Sequence, residues 1–469
     1  MKATDESRNA VSRRSFLLRL PAIPLGLGAA LSHLGQGRAA ALQAQATLRV
    51  AFVKRPEYGF SWPGGAYDGE AARQRYTQQI LDAGRELGMQ IAVEPQPLHE
   101  WPVAEKFLAG IKRHTPDGVL LVLLDRHGIA WRTADTLADT GIPSIIFAPV
   151  GAAFTSNVQA SVRKPGVYLV SSLDFDAVKY GMRMVQTAAQ MRQTRIVVLR
   201  GKDRSDKEVD LLGTKLRTIP VQDFIDELKR IGPTAEAQAL AHEWAERAQE
   251  VVEPSQSDML DAARTYFAAR SILARENGDA ITMDCLGPAR QRQIPTPCMA
   301  WMKLNDEGIV AACEADINAA LTLLLVRYLY GQAGFQQDPV PETVRNALVG
   351  SHCTSPTKLW GPNGPSVPYR VRSHHAGICV APQVLWPEGE RATIADFLSP
   401  QKLIIYSGTV IGNVDTPPAG GCRTAVTVKI DGVPESPDIQ GFHQIFFLGD
   451  HARQLLAYCQ MYGIEPVTA

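Results

Sequence analysis

Two carboxylates and two imidazoles in the second half of the chain are the residues best suited to metal chemistry. Glu314 and Asp338 offer oxygen donors, and His352 and His443 offer nitrogen donors. Ionised carboxylates and neutral imidazoles are common ligands of divalent metal ions in proteins. We therefore predict that these four residues, although scattered along the sequence, form one metal site.

The elements around Glu314 place it where α/β proteins usually carry their sites. The apolar run from Ile309 to Cys313 predicts a strand, and the apolar segment from Ile317 to Leu329 predicts a helix. The loop between them would lie at the carboxyl edge of a parallel sheet and at a helix N-terminus, which favours an ionised carboxylate. A structural role is the alternative, with Asp316 as the N-cap of the helix and Glu314 as an acid of its first turn.

Length and composition describe a large globular protein without a nucleic-acid signature. The chain has 469 residues, which suggests about three domains. Lys and Arg together number 48, as do Asp and Glu, so the formal net charge is zero, and no basic stripe suggests a nucleic-acid partner. The seven cysteines form no C-x-x-C motif, so buried free thiols are expected.

The amino terminus predicts an export signal over residues 1–46. Arg13 and Arg14 precede an apolar segment, residues 20–34, and a small-x-small cleavage site at residues 44–46. This pattern is typical of a twin-arginine signal peptide, so we expect the twin-arginine export machinery as a partner and a periplasmic or otherwise exported protein. An ordinary secretory signal or a disordered basic tail is the alternative. We expect no membrane span in the mature chain, because no later segment reaches roughly 20 apolar residues.

Alternating strand and helix patterns give way to short strands near residue 338. Residues 47–165 and 166–337 predict two Rossmann-like, doubly wound α/β domains, the second opening with a strand from Val167 to Ser171. Residues 338–469 predict a β-barrel-like domain, because short strand-like runs alternate there with Gly/Pro-rich turns before a closing helix. The fold class is therefore α/β with a C-terminal β-domain.

The end of the chain contains the stretch Gly441-Phe-His-Gln-Ile-Phe-Phe-Leu-Gly-Asp-His, followed by a predicted helix and Gly463-Ile-Glu-Pro-Val. This pattern resembles the C-terminus of the L-fucose isomerase and L-arabinose isomerase superfamily, where a metal-binding histidine precedes a strand. That histidine is His443 here. Gly350-Ser351-His352 resembles the Gly-Ser-His of the arabinose isomerase branch, whose histidine also binds the metal.

The same resemblance extends to the two carboxylates. Cys313-Glu314-x-Asp316-Ile317 before an apolar helix is similar to the family's first metal glutamate, and the second family carboxylate, some two dozen residues on, falls at Asp338. The family implies a metal-dependent aldose–ketose isomerase, with Mn²⁺ or another divalent cation and a small-molecule sugar substrate. Glu314 and Asp338 would hold the metal and shuttle a proton through an enediol. A trimeric or hexameric homo-oligomer is also implied.

Three further residues are predicted to contact a sugar. Arg372 and His374 lie in a strand-like run, and only one of His374 and the adjacent His375 can enter a site, because neighbouring residues of a strand face opposite sides. Trp301 could stack on a sugar ring, with core packing as the alternative. Tyr58 and Trp62 lie in a long loop that either binds a ligand or caps its domain.

Two other functions are consistent with the sequence. One is a non-catalytic periplasmic sugar-binding protein, since two Rossmann-like domains and an export signal also describe that class. The other is a degenerate protein that keeps the isomerase fold but binds no metal stably. The predicted β-domain and its metal donors favour the isomerase over the sugar-binding protein.

Overall fold

The fold is known from a computed structural model, which describes residues 45–56, 68–126, 128–374, 379–417 and 421–468. The predicted signal peptide, apart from its last two residues, lies outside the described residues, as do Tyr58, Trp62 and His375. The export signal and the division into three domains stay predictions. Among the helices of the described segments, none combines the length and the apolar character that a membrane crossing requires.

The first sheet is parallel throughout, with the strand order β2-β1-β3-β4-β5. Its strands are β1 (Thr47–Val53), β2 (Gln90–Val93), β3 (Gly118–Leu123), β4 (Ser144–Pro149) and β5 (Val167–Ser172). The helices of this part of the chain are α1 (Gly69–Leu87), α2 (Trp101–Arg113), α3 (Ile129–Ala138), α4 (Thr155–Ser161) and α5 (Asp176–Gln193).

Helices cover both faces of this sheet, as a doubly wound fold requires. Phe52 of β1 packs in one apolar cluster with α1 and α5, whereas the adjacent Ala51 and Val53 pack in another with α2 and α3. One strand assignment was wrong. The run from Val167 to Ser171 was predicted to open the second α/β unit, but β5 pairs in parallel with β4 and completes the first sheet.

The second sheet has the order β11-β10-β6-β8-β7 and is parallel except for β7. The strands of this region are β6 (Arg195–Leu199), β7 (Ser205–Glu208), β8 (Lys215–Ile219), β9 (Glu250–Val251), β10 (Ala280–Met283) and β11 (Val310–Cys313). Its helices are α6 (Val221–Arg230), α7 (Ala235–Arg247), α8 (Gln256–Glu276), α9 (Leu286–Arg290), α10 (Cys298–Asp306) and α11 (Ile317–Tyr330). The sheet therefore ends at β11, the strand that leads to Glu314.

A closed six-strand barrel follows, as the Gly/Pro-rich pattern predicted. The remaining strands are β12 (Phe335–Glu342), β13 (Ala347–His352), β14 (Tyr369–Ser373), β15 (Val380–Val384), β16 (Arg391–Ser399), β17 (Lys402–Asn413), β18 (Thr424–Ile430), β19 (Gln444–Leu448) and β20 (Glu465–Val467). The barrel order is β16-β19-β12-β13-β18-β17, and β17 pairs back with β16. Helix α12 (Ala452–Tyr462) leads to β20, which adds in parallel to β17, while β15, β14 and β9 form a small separate sheet.

Strand β12 was not predicted, because Pro339 and Pro341 argue against a central strand. Its pairing explains why the prolines are tolerated. β12 pairs with β19 only from Phe335 to Gln337 and with β13 only from Asp338 to Glu342. Both prolines therefore lie where β12 has only one neighbouring strand. Their missing N–H groups interrupt no hydrogen bonds to a second strand.

Candidate metal centre

Glu314 stands in a tight turn between β11 and α11. Glu314 and Ala315 both have left-handed backbone conformations, with φ of 59° and 54°. Such conformations are costly for residues other than glycine and cluster at functional sites. Surrounding groups hold the turn in place, because Arg200 donates to the Ala315 carbonyl at 2.8 Å and Gln336 Oε1 accepts from the Cys313 N–H at 2.7 Å.

The barrel supplies the other three predicted donors from adjacent strands. Asp338 of β12 pairs directly with Ser351 of β13, and His352 is the last residue of β13. His443 immediately precedes β19, the strand that pairs with β12 on the side away from β13. The backbone of His443 is also left-handed, with a φ of 56°. The closed barrel therefore brings residues 338, 352 and 443 to one place.

The four predicted donors lie close together. His443 Nε2 is 3.3 Å from Asp338 Oδ1 and 3.5 Å from Glu314 Oε2, and His352 Nε2 is 3.8 Å from Glu314 Oε1. Donor atoms of Asp338, His352 and His443 all lie within 4.8 Å of one another. The two imidazole rings meet edge to face, with centroids 5.6 Å apart. The structure thus assembles the set, and the role of its members as ligands stays a prediction.

Asp316 belongs to this cluster as well as to the helix. Its Oδ1 accepts from the Ala319 N–H at 2.9 Å, which is the predicted N-cap bond of α11. Its Oδ2 lies 2.9 Å from Nδ1 of His443. That contact leaves Nε2 of His443 facing Asp338 and Glu314. Sequence reasoning found the cap and missed the second contact.

Charge in the cluster is strongly coupled. Burial alone would lower the pKa of His443, but the carboxylates of Asp316, Asp338 and Glu314 raise it to about 11. The close contact with His443, together with the nearby His352, lowers the pKa of Glu314 although its partial burial opposes this. Burial also opposes ionisation of Asp316, yet His443 and the cap lower the pKa of that carboxyl. Glu314 and Asp316 are therefore carboxylates at neutral pH.

The donor set fits a divalent cation. Two carboxylates and two imidazoles suit Mn²⁺ and similar ions. Asp338 Oδ1 and His443 Nε2 are buried and face each other, but within the described segments neither atom is aligned with a hydrogen-bond partner. Buried polar atoms without partners are uncommon in proteins, and a bound ion is one way to satisfy them. The fit does not identify the metal.

Two groups of this region were not predicted as functional. The Asp396 carboxyl on β16 is buried, and burial, with the nearby charge of Asp316, raises its pKa to about 8. Phe442 is 64% exposed, and its ring centroid lies 4.5 Å from that of His443. The residue just before His443 therefore presents an aromatic ring to solvent. From the sequence, Phe442 was predicted only as the first residue of a strand.

The prediction of Trp301 as a sugar contact is wrong. Its side chain is fully buried in α10, its indole N–H donates to the Ala312 carbonyl at 2.6 Å, and its ring packs edge-on against Phe224. A ring without exposed surface cannot stack on a ligand. Core packing, the alternative considered, is what the structure shows.

Arg372 and His374 lie in the small sheet and its following loop. Arg372 is buried and engages Glu253 through two guanidinium nitrogens, at 2.7 and 3.0 Å, and also donates to Gln383 at 3.1 Å. Its charge is thus already balanced. His374 is buried beside the segment that the structure does not describe. The predicted contacts of both residues with a substrate stay predictions.

Comparison with known proteins points to one enzyme class. No protein-family model matches the chain. The chain is similar to a sulfoquinovose isomerase. This protein, from Alkalicoccus urumqiensis, is 27% identical over 215 residues, which are 42% of this chain and 48% of the relative. The match thus spans about half the length of the relative. It is consistent with the predicted sugar isomerase, while membership of the L-fucose and L-arabinose isomerase superfamily stays a prediction.

Proposed function

We propose that this protein is a metal-dependent sugar isomerase that interconverts an aldose and its ketose. The observation that carries the proposal is the convergence of two carboxylates, Glu314 and Asp338, with His352 and His443 in one cluster. The similarity to a sulfoquinovose isomerase supports the same class of reaction. It also favours an isomerase over a sugar-binding protein without catalytic activity.

The four donors would hold one divalent cation, with Mn²⁺ as the first candidate. When bound, this ion would polarise the sugar carbonyl and offset the negative charge of the transition state, which is worth several kcal/mol. The protein itself must move a proton between two adjacent carbons. Carboxylates are suitable bases for this transfer, and the lowered pKa of Glu314 keeps it ionised and able to accept a proton.

Glu314 and Asp338 would divide the proton transfer between them. One carboxylate removes the proton from C2 of the aldose while O1 gains a proton, which gives an enediol. O2 then loses its proton as a proton is returned at C1, which gives the ketose. The left-handed turn around Glu314 and the pairing of Asp338 with Ser351 fix both carboxylates on folded elements rather than on free loops. Such positioning accelerates the reaction because it holds the acid and the base at the reacting carbons.

Sulfoquinovose is the first substrate to test, because it is the sugar that the relative's name gives. The metal-loaded full chain is incubated in D₂O with sulfoquinovose and with unsubstituted aldoses, and NMR follows ketose formation and deuterium uptake at the exchanging carbon. We expect conversion of at least one sugar. No conversion and no exchange with any sugar by the metal-loaded protein would contradict the proposal.

Variants connect the activity to the cluster. Glu314→Gln and Asp338→Asn should each lower turnover by roughly 10²-fold or more, because each removes an acid–base group. Glu342→Gln is the matched control, since Glu342 lies at the far end of β12 and pairs with Arg345. Equal losses in all three variants would indicate a general folding defect rather than loss of the acid–base groups.

We also propose that the folded protein is exported by the twin-arginine route and acts as a homo-oligomer. The support is the pair Arg13-Arg14 with its following apolar segment, and the family resemblance for the assembly. Replacing both arginines with lysine should retain the protein in the cytoplasm in a cell-fractionation experiment.

Light scattering of the purified protein tests for the trimer or hexamer. A monomer would contradict the proposed assembly.

A further inference from the structure

A cysteine lies against the cluster, beside Glu314 and His352. Cys313 ends β11 and directly precedes Glu314. Its sulfur, a carboxylate oxygen of Glu314 and a ring nitrogen of His352 all lie within 4.8 Å of one another. Cys313 and His352 are buried, whereas the side chain of Glu314 is 30% exposed, so the group is reached from the side of the carboxylate.

The Glu314 carboxylate divides the donors into two sets. Its Oε1 lies 3.8 Å from Nε2 of His352, which groups with Cys313, and its Oε2 lies 3.5 Å from Nε2 of His443, which groups with Asp338. One set therefore contains a sulfur, a nitrogen and an oxygen donor. The other contains oxygen donors with an imidazole. A carboxylate with an oxygen in each set can bridge two neighbouring cation positions.

We propose that Cys313, Glu314 Oε1 and His352 form a second cation position, selective for thiophilic divalent ions such as Zn²⁺ and Cd²⁺. Thiolates select soft and borderline ions, whereas Mn²⁺ and Mg²⁺ prefer oxygen. Three protein donors leave one position of a tetrahedral ion for water or another ligand. This inference goes beyond the isomerase activity and does not depend on it.

The spacing is compatible with such an ion after small movements. Zinc–sulfur bonds of about 2.3 Å and zinc–nitrogen bonds of about 2.0–2.1 Å place the sulfur, nitrogen and oxygen ligands of a tetrahedral ion roughly 3.3–3.6 Å apart. The Glu314–His352 separation of 3.8 Å exceeds this spacing by a few tenths of an ångström, and the sulfur, within 4.8 Å of both donors, needs to move by about 1.3 Å or less to meet it. Binding forms a metal–sulfur bond and breaks the S–H bond of Cys313, whose proton passes to solvent, with no change of oxidation state.

The two positions are linked because Glu314 and His352 belong to both. An ion held by Cys313 takes His352 away from the position lined by Asp338 and His443, and it places a positive charge on the Glu314 carboxylate that both positions share. Occupancy of the thiophilic position should therefore weaken binding of a hard ion at the neighbouring one. We expect Mn²⁺ affinity to fall when the protein has first bound one equivalent of Cd²⁺.

Cadmium titration of the metal-free, reduced full chain tests the proposal. A cadmium–thiolate bond has an ultraviolet charge-transfer band, which we expect to grow and saturate near one equivalent. Cys313→Ser should weaken this binding at least tenfold. Cys285→Ser is the matched control, because its sulfur is buried 3.8 Å from that of Cys313 yet is not one of the proposed ligands. Asp338→Asn should also retain the band, which separates this position from the proposed isomerase site.

A measurement on the unaltered protein guards against a variant that fails to fold. The ¹¹³Cd NMR shift of the one-equivalent complex reports sulfur ligation directly, and we expect the downfield shift of one thiolate ligand. A shift typical of nitrogen and oxygen ligands alone would overturn the proposal. So would an unchanged charge-transfer band in a folded Cys313→Ser protein.

Discussion

Asp316 joins the start of a helix to the orientation of His443. One oxygen of its carboxylate caps α11 at the Ala319 N–H, and the other lies 2.9 Å from His443 Nδ1. The carboxylate accepts a hydrogen bond from the Nδ1–H group of His443, so the neutral imidazole keeps its lone pair on Nε2. A metal-ligating histidine commonly has such a partner, which fixes its tautomer and ring orientation.

Asp316→Asn should weaken metal binding without unfolding the protein. Asparagine caps helices about as well as aspartate, so α11 should keep its first turn. The amide N–H₂ would then face His443 Nδ1 and place the proton on Nε2, where it blocks a ligand. We expect metal affinity to fall roughly 10–100-fold, measured by calorimetry. Asp316→Ser, which keeps the cap but imposes no tautomer, should lose less, and an equal loss in both variants would contradict the tautomer argument.

The metal-free protein should lose stability as pH rises above neutrality. The raised pKa of His443, about 11 when folded against about 6.5 when unfolded, means that the native state holds the extra proton between these values. This stabilisation is complete below pH ~6.5 and is lost as pH rises through ~11, with a slope of at most about 1.4 kcal/mol per pH unit. The charged or titratable groups around the ring are Asp316, Asp338, Glu314, His352 and Asp396.

Urea unfolding of the wild type and of His443→Gln, from pH 6 to 10, measures this contribution by difference. Other groups titrate in both proteins. The pH dependence of the free energy of unfolding should therefore differ between the two only by the contribution of His443. Saturating Mn²⁺ should reduce the difference in slope, because a ligand imidazole has already lost its proton. Parallel curves for the two metal-free proteins would contradict the prediction.

Asp396→Asn should stabilise the protein increasingly as pH rises from about 4 to about 8. Burial and the charge of Asp316 raise the pKa of Asp396 to about 8, so its neutral form stabilises the fold fully below pH ~4 and this contribution is lost as pH rises through ~8. Asparagine has the same shape and never ionises. We expect little change at pH 4 and a gain of roughly 3–6 kcal/mol at pH 9, from thermal or urea unfolding. A gain that is equal at both pH values would show that ionisation is not the cause.

Trp301→Phe should reduce stability rather than sugar affinity. The smaller ring leaves a partial cavity and removes the donor that satisfies the Ala312 carbonyl, for a combined cost of about 2–3 kcal/mol. The measurement is urea unfolding alongside the KM of the proposed isomerase reaction. Normal stability with a raised KM would instead restore the role in sugar binding that the sequence suggested.

Elements with a strong apolar pattern could be predicted from the sequence, whereas polar or interrupted ones could not. β3 is buried along its whole length, and its continuous apolar run predicted it. β7 has the sequence Ser-Asp-Lys-Glu and is mostly exposed, so it carries no hydrophobic signal, and only its pairing with β8 makes it a strand. β12 carries two prolines and was missed because its incomplete ladders are visible only in the folded barrel.

The candidate site shows the same limit. The types and spacing of Glu314, Asp338, His352 and His443 identified a set of donors that the fold brings together. The contact of Asp316 with His443 joins residues 127 positions apart, so no local pattern could indicate it. Trp301 failed for a related reason, because a tryptophan in an apolar run has the same local sequence whether it lines a site or fills a core.

Barrel closure has a consequence for how the protein is made. β19 pairs with both β12 and β16, so the barrel cannot close until residues 444–448 have left the ribosome. Pairing over such distances is slow compared with local folding. Any chain that stops short of this strand lacks both the seam of the barrel and His443. Binding of the proposed metal ion should thus distinguish chains that contain this strand from chains that lack it.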